Sequence, residues 1–199
     1  YPGYTTALAR KFAAAGGHPL VVMGGDGTIS EVLHGILPSP VELGLISIGT
    51  GNDTARSLGL PYNNTVAAFE VILSGAPRSI DVGWAEDRFS ISTRGLGFPA
   101  TVAAAANQLT WLKGRAAFLG SFCKALSRLE AIPLVITMDG RSLELRCASV
   151  LILNTPYCGG GILLAPEARV DDGFFNVVIV SDIGRWDLML HFPLAYRGQ

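Results

Sequence analysis

Two short glycine-rich stretches each carry a single carboxylate. Gly24-Gly25-Asp26-Gly27-Thr28 follows the apolar run Val21-Val22-Met23, and Gly49-Thr50-Gly51-Asn52-Asp53 follows Ile48. Glycines let a backbone approach a phosphate closely. A helix opening directly after such a turn adds free N–H groups and a partial positive charge. Asp26 can orient a hydroxyl or ligate Mg²⁺, and Thr28 can cap its helix and bond a phosphate oxygen. Asn52 offers a donor and an acceptor to a ribose or phosphate. Arg56 lies one helical turn past Asn52 and faces the same way. If the two turns end neighbouring strands, about 5 Å apart, Asp53 can share a metal with Asp26. A triphosphate and a divalent cation held between two loops is the chemistry of a nucleotide-dependent kinase. The plainer alternative makes each carboxylate a helix cap and Arg56 a surface cation. No Lys follows the last Gly of either turn, so neither is a Walker motif. On the kinase reading, Asp26→Ala removes turnover and leaves the melting temperature nearly unchanged.

The elements needed to place these turns are legible. Thr5–Ala15 reads as a helix with Leu8, Ala9 and Phe12 on one face and Gly16-Gly17 closing it. Pro19–Met23 reads as a short buried strand and Thr28–Leu37 as a helix with Ile29, Val32, Leu33 and Ile36 inward, ended by Pro38-Ser39-Pro40. Leu43–Ile48 is the next strand, and Asn52–Leu58 and Thr65–Ser74 the next helices. Short apolar strands alternating with helices imply a parallel sheet covered on both faces. Past Pro77 the chain turns β-rich. Arg78–Trp84 and Arg88–Thr93 read as strands with Asp87 in the turn between them. Helices follow over Pro99–Gln108 and Arg115–Glu130, broken at Gly114. Pro133–Met138 and Ser142–Leu153 flank Asp139-Gly140, a strong hairpin signal. Phe174–Val180 is a further strand. The expected fold is an α/β nucleotide-binding domain over 1–77 and a β-rich, sandwich-like domain with a helical insert over 78–199.

Composition narrows the partners. The 199 residues are 49% hydrophobic and 16% charged, with net charge -1 and mean hydropathy +0.39. No broad cationic field draws the chain to nucleic acid. Twelve of the fifteen basic residues are Arg, which suits bidentate phosphate contacts. Three cysteines without a CxxC pair give neither a disulfide framework nor a zinc site, which suits a reducing cytoplasm. No stretch approaches the roughly 18 apolar residues of a membrane span, so a lipid would be reached from the water side. Both ends read as cut: no strand precedes the first helix, and no closing element is expected after His191.

Other groups carry less. His18, His34 and His191 lack metal-ligand spacing and read as structural. Cys158, beside Gly159-Gly160-Gly161, reads as a small residue in a tight turn rather than a nucleophile. Asp171-Asp172 reads as a solvated turn, with a supporting role at Mg²⁺ as the alternative. Trp111, Leu112, Phe118, Leu119 and Phe122 read as core, with a lipid-tail pocket as the alternative.

Taken in order, the motifs carry a resemblance. Gly24 to Thr28, Glu31, Gly49 to Asp53 with Ala55, Arg56, Leu58 and Gly59, then Ile80-Asp81-Val82-Gly83, Gly95-Leu96-Gly97-Phe98, Asn154 with Gly159-Gly160-Gly161, Ala165-Pro166-Glu167-Ala168 and Asp172-Gly173 resemble the diacylglycerol kinase catalytic-domain family, which includes sphingosine and ceramide kinases. The resemblance implies transfer of the γ-phosphoryl group of ATP to a lipid hydroxyl, with Mg²⁺ on Asp26 and Asp53. It implies that Gly24, Gly25, Asp26, Gly27, Thr28, Glu31, Gly49, Thr50, Asn52, Asp53 and Arg56 bind the nucleotide. It places the protein in phospholipid metabolism, cytoplasmic and peripheral at the membrane surface, and allows a homodimer. Three departures stand out. The family's opening strand and its Asn-Pro-x-Ser-Gly turn are absent. Its D-G-E motif, with the general base, would lie beyond residue 199. The acidic position after G-x-G-F is Pro99. NAD kinases and phosphofructokinases share the GGDG turn, so a soluble-substrate kinase is the first alternative and a non-catalytic nucleotide-binding module the second.

Overall fold

Parallel pairing of β1 (Leu20–Gly24) with β2 (Leu43–Ser47) starts both glycine loops from the same sheet edge. The register runs from Leu20 against Leu43 to Gly24 against Ser47. The computed structural model describes residues 3–86, 88–108 and 114–198. Before the pair comes α1 (Tyr4–Ala14), between its strands lies α2 (Asp26–Ile36), and after it come α3 (Asp53–Ser57) and α4 (Thr65–Ser74). Apolar residues at helical spacing on α2 decide the core here. Ile29, Val32, Leu33 and Ile36 are buried with Val22 and Leu45. Asn64 caps α4, its Oδ1 accepting the Ala67 N–H at 3.1 Å, and Ile72 of α4 fills the space over Gly44 of β2.

Three local expectations change. The face of α1 that meets α2 contains Thr6, Ala9 and Ala13 rather than Leu8, Ala9 and Phe12. Gly35 of α2 packs against Thr6 and Ala9, while Leu8 is 55% exposed and Phe12 covers Gly17. β1 is not a buried strand: Val22 is inside, whereas Val21 and Met23 are exposed. Residues 78–82 form no strand; the strand begins at β3 (Gly83–Ala85). Their backbone groups are held singly instead. Asp81 N–H donates to Val170 O at 2.6 Å, and Asp81 O accepts from Asn154 Nδ2 at 2.9 Å.

β3 pairs antiparallel with β4 (Arg88–Ser90); Asp87, expected in their turn, lies outside the described residues. The chain divides into two compact units, Tyr1–Thr93 with Asn154–Phe175, and Arg94–Leu153 with Asn176–Gln199. The first unit also holds a short antiparallel pair, β8 (Tyr157–Cys158) and β9 (Ile162–Leu163). The second is built on β7 (Arg141–Leu153), which pairs antiparallel with β6 (Ile132–Met138) and β10 (Asn176–Ser181), and with β5 (Thr93–Gly97). Asp139 and Gly140 close the β6–β7 hairpin with φ of 49° and 77°, as two-residue turns with both centres left-handed require. β5 was not legible because Gly95 and Gly97 weaken strand propensity.

Helices α5 (Phe98–Gln108) and α6 (Gly114–Leu126) form the insert, and α7 (Arg185–Ala195) supplies a closing helix that the sequence reading missed. Pro99 sits in the first turn of α5, where its missing N–H costs nothing, and packs on Gly95. Phe122 is core, 5.3 Å from the Phe98 ring centroid and 4.2 Å from that of Phe192. Leu119 is exposed; Trp111, Leu112 and the Phe118 side chain lie outside the described residues.

A Cβ on Gly35 would sit 2.4 Å from Thr6 O. Gly35→Ala gains about 0.5–1 kcal/mol in helix propensity but forces α1 away from α2, a cost of about 1–3 kcal/mol. The expected net is a lower urea midpoint. A raised midpoint would show that the crossing is not tight.

Candidate active site

Where β1 and β2 end, the two loops touch backbone to backbone. Ile48 N–H donates to Gly24 O at 3.0 Å, and a Cβ on Gly49 would lie 2.5 Å from Gly25 Cα. Only glycines permit that approach. Gly24 is fixed for another reason: a Cβ there would meet Thr28 Oγ1 at 2.6 Å. Gly27, on the first turn of α2, faces open space.

The second loop is set by Asn52, buried and left-handed at φ 53°, a conformation Asn tolerates better than most residues. Its Oδ1 accepts the Gly49 N–H at 2.8 Å, and its Nδ2 donates to Gly49 O at 2.8 Å and to Asn63 Oδ1 at 3.1 Å. Both amide donors and the acceptor are thus engaged inside the turn.

Asp26 does not cap its own helix. It reaches across to cap α3, accepting the Asp53 N–H at 3.2 Å and the Thr54 N–H at 2.9 Å. α2 itself has Gly25 at its N-cap and no side-chain cap bond. Its first N–H groups are therefore left for another acceptor. Thr28, expected as a cap, instead lies against Gly24.

Asp53 is 7% exposed. Its Oδ2 accepts the Gly160 N–H and its Oδ1 the Gly161 N–H, both at 2.7 Å. Burial pushes its carboxyl pKa up; the two N–H bonds and Arg56 pull down and Asp26 pushes up further. Both carboxylates converge at Gly51: a Cβ there would stand 3.2 Å from Asp26 Oδ2 and 3.6 Å from Asp53 Oδ2. Gly160 Cα would also stand 3.4 Å from that Cβ, so glycine suits the crowded position. Two neighbouring carboxylates and the bare N-terminus of α2 are groups with the chemistry to hold a divalent cation and a polyphosphate. Among the described residues no group of three or more His, Cys, Asp or Glu gathers for a metal, so a cation here would need ligands from the polyphosphate or water.

Arg56 is clamped. Its Nη1 donates to the Tyr62 hydroxyl at 2.7 Å, and its guanidinium carbon lies 4.5 Å from the Tyr62 ring centroid and 5.5 Å from that of Tyr157. Thr50 is exposed at the loop tip. Glu31 takes its place in the α1–α2 contact, where its carbonyl oxygen accepts from Thr6 Oγ1 at 2.8 Å.

The structure adds Gly160, Gly161, Tyr62 and Tyr157 to the residues singled out from sequence. The Gly159–Gly161 run was a usable signal, but nothing in it pointed to Asp53. Asp172 closes its own turn, accepting the Phe174 N–H at 3.0 Å. The three histidines take structural roles: His34 Nδ1 meets Ser30 O, His191 Nδ1 meets Asp187 O, and His18 pairs with Glu42. The Cys158 thiol is pushed up to about 12, by burial and then by Asp53, which disfavours the thiolate a nucleophile needs.

Two family descriptions match. "Diacylglycerol kinase catalytic domain" covers residues 1–85, and "YegS C-terminal NAD kinase beta sandwich-like domain" covers residues 92–199, more than half of the chain. The chain belongs to the family that carries the YegS C-terminal NAD kinase beta sandwich-like domain, and its residues 1–85 match the diacylglycerol kinase catalytic domain. Curated diacylglycerol kinases of Mycobacterium tuberculosis (strain CDC 1551 / Oshkosh) and Bacillus subtilis (strain 168) are similar. The first is 32% identical over 96% of this chain and 64% of its own length. The second is 28% identical over 99% and 66%. A crystal structure of a diacylglycerol kinase from Bacillus anthracis superposes with a TM-score of 0.73 at 26% identity, over 97% of this chain and 64% of that one. The chain thus spans roughly two thirds of the length of these relatives.

Because Asp26 holds the start of α3, the sequence-based expectation of an unchanged melting temperature for Asp26→Ala is replaced. The variant should lose about 1–2 kcal/mol of stability, read as a lower urea midpoint; an unchanged midpoint would remove Asp26 from the α3 cap. With a pKa of about 12, Cys158 is thiolate at pH 8 only to the order of one part in ten thousand. Iodoacetamide on native protein should modify exposed Cys123 and spare Cys158 until the chain is unfolded, as peptide mass mapping would show.

Proposed function

We propose that this chain forms the nucleotide-binding and substrate-facing part of an ATP- and Mg²⁺-dependent lipid kinase that phosphorylates a hydroxyl of diacylglycerol or a related lipid. The observation that carries this is the backbone contact of two glycine loops, which brings the Asp26 and Asp53 carboxylates together at Gly51. The names of the curated relatives support the lipid class. In this reading residues 1–77, joined by the Gly160–Gly161 turn that holds Asp53, serve the nucleotide, and the rest of 78–199 serves the lipid, met at the membrane surface. No helix among the described residues is long and apolar enough to cross a membrane.

On this reading each group has its own part. The uncapped N–H groups at the start of α2 receive phosphate oxygens, and open Gly27 lets them come close. The hydroxyls of Thr28 and Thr50 add donors beside them. Asp26 and Asp53 hold the cation. Arg56, kept in place by two tyrosines, supplies fixed positive charge. Asn52, engaged within its turn, shapes the loop that presents Gly51 and Asp53. Bound Mg²⁺ supplies neutralisation of the charge that spreads over the transferring phosphoryl group. What the protein adds is mostly positioning and pre-set electrostatics.

A labelled-ATP assay offering diacylglycerol, sphingosine and NAD to the full-length protein tests the acceptor. Phosphorylated diacylglycerol or sphingosine is expected; NAD as the sole acceptor would transfer the site to a soluble-substrate kinase. Gly27→Ala separates binding from folding. With nothing within 4 Å of the added methyl, the urea midpoint should hold or rise. ATP affinity should fall by about tenfold or more, since a lost charge-assisted contact is worth roughly 1.5–3 kcal/mol. Full affinity in this variant, measured by calorimetry, would place the phosphates elsewhere.

A further inference from the structure

Gly159, Gly160 and Gly161 have φ of 63°, 87° and 99°, three left-handed residues in succession between β8 and β9. Consecutive N–H groups on such a turn face a common concavity, an arrangement that binds anions. Here the anion is internal. The two oxygens of Asp53 take the N–H groups of Gly160 and Gly161 one each, at 2.7 Å, the bidentate fit that two oxygens of a phosphoryl group would make. The Arg56 guanidinium stands 3.5 Å from where a Gly161 Cβ would begin, and its Nε is buried without a hydrogen-bond partner. A cationic group thus borders the turn with a donor to spare.

We propose that the Gly160–Gly161 turn is a phosphate-oxygen site that Asp53 fills by itself, and that a phosphoryl group of the nucleotide takes it over as Asp53 turns to the cation shared with Asp26. This rests on the kinase reading above. The charges explain why the exchange needs both partners. Polyphosphate alone would bring negative charge to two nearby carboxylates and strip Asp53 of its donors. Mg²⁺ alone would compete with two short N–H bonds for the Asp53 oxygens. Together, the cation satisfies the carboxylates while the anion satisfies the turn and Arg56. The two ligands are therefore positively coupled, each strengthening the other's affinity by the same factor.

The test uses the ¹⁵N-labelled full chain titrated with tripolyphosphate, with Mg²⁺, and with both, while the Gly160 and Gly161 amide resonances are followed. Both resonances should move only when both ligands are present. Asp53→Asn, which weakens the internal anion, should raise Mg²⁺-free tripolyphosphate affinity by about tenfold, within the usual range of couplings. Asp26→Asn removes the same charge without emptying the turn and should change that affinity much less. If Gly160 and Gly161 stay still while Asp26, Gly27 and Thr28 shift, the exchange is refuted and the kinase reading survives. If none of these amides responds, the kinase reading itself fails. Equal gains in the two variants would reduce the effect to plain charge removal and also refute the exchange. Should Asp53→Asn not fold, the wild-type titration decides alone.

Discussion

Everything at this site depends on how closely two backbones can approach. The Gly25–Gly49 contact leaves no room for a side chain at either of these two glycines. Widening it would carry Asp26 away from the N–H groups of Asp53 and Thr54, and α3 would lose its cap. With α3 displaced, Asp53 would no longer meet the Gly160–Gly161 turn, more than a hundred positions further along the chain. A steric fact about two glycines thereby governs where two carboxylates lie.

The carboxylates show how a functional site and a stable fold draw on the same atoms. Asp26 supports a five-residue helix that is too short to be stable by itself. Asp53 is buried beside another acid, a placement that raises its pKa despite two short N–H bonds. A structural role alone would favour a neutral side chain there, since buried charge is costly unless fully compensated. The proposed cation site would account for both carboxylates at once. It would also account for the missing side chain at Gly27, which faces open space.

Much of both units was legible where the signals are local. The 3.6-residue spacing on α2 named the buried Ile29, Val32, Leu33 and Ile36 correctly, and Asp139-Gly140 announced its hairpin. Misses came where partners are distant. Residues 78–82 look like a strand, yet the backbone of Asp81 is bonded to Asn154 and Val170 instead. Leu8 looks like core, but α1 meets α2 through small residues around Gly35. The ligand-facing role suggested for Asn52 gave way to a buried amide bonded to Gly49 and Asn63, because a left-handed turn of this kind must satisfy its own polar groups.

The amino-acid sequence by itself determined which residues have the chemistry for a phosphate and a cation, and that they sit in turns after strands. Residue type and short-range spacing suffice for that, since turn propensity and helix periodicity act over a few residues. Only the tertiary structure decided what each side chain touches. It gave Asp26 to α3, Asp53 to the Gly160–Gly161 turn and Arg56 to two tyrosines. Those assignments join positions far apart in the chain, and packing, not local preference, selects them.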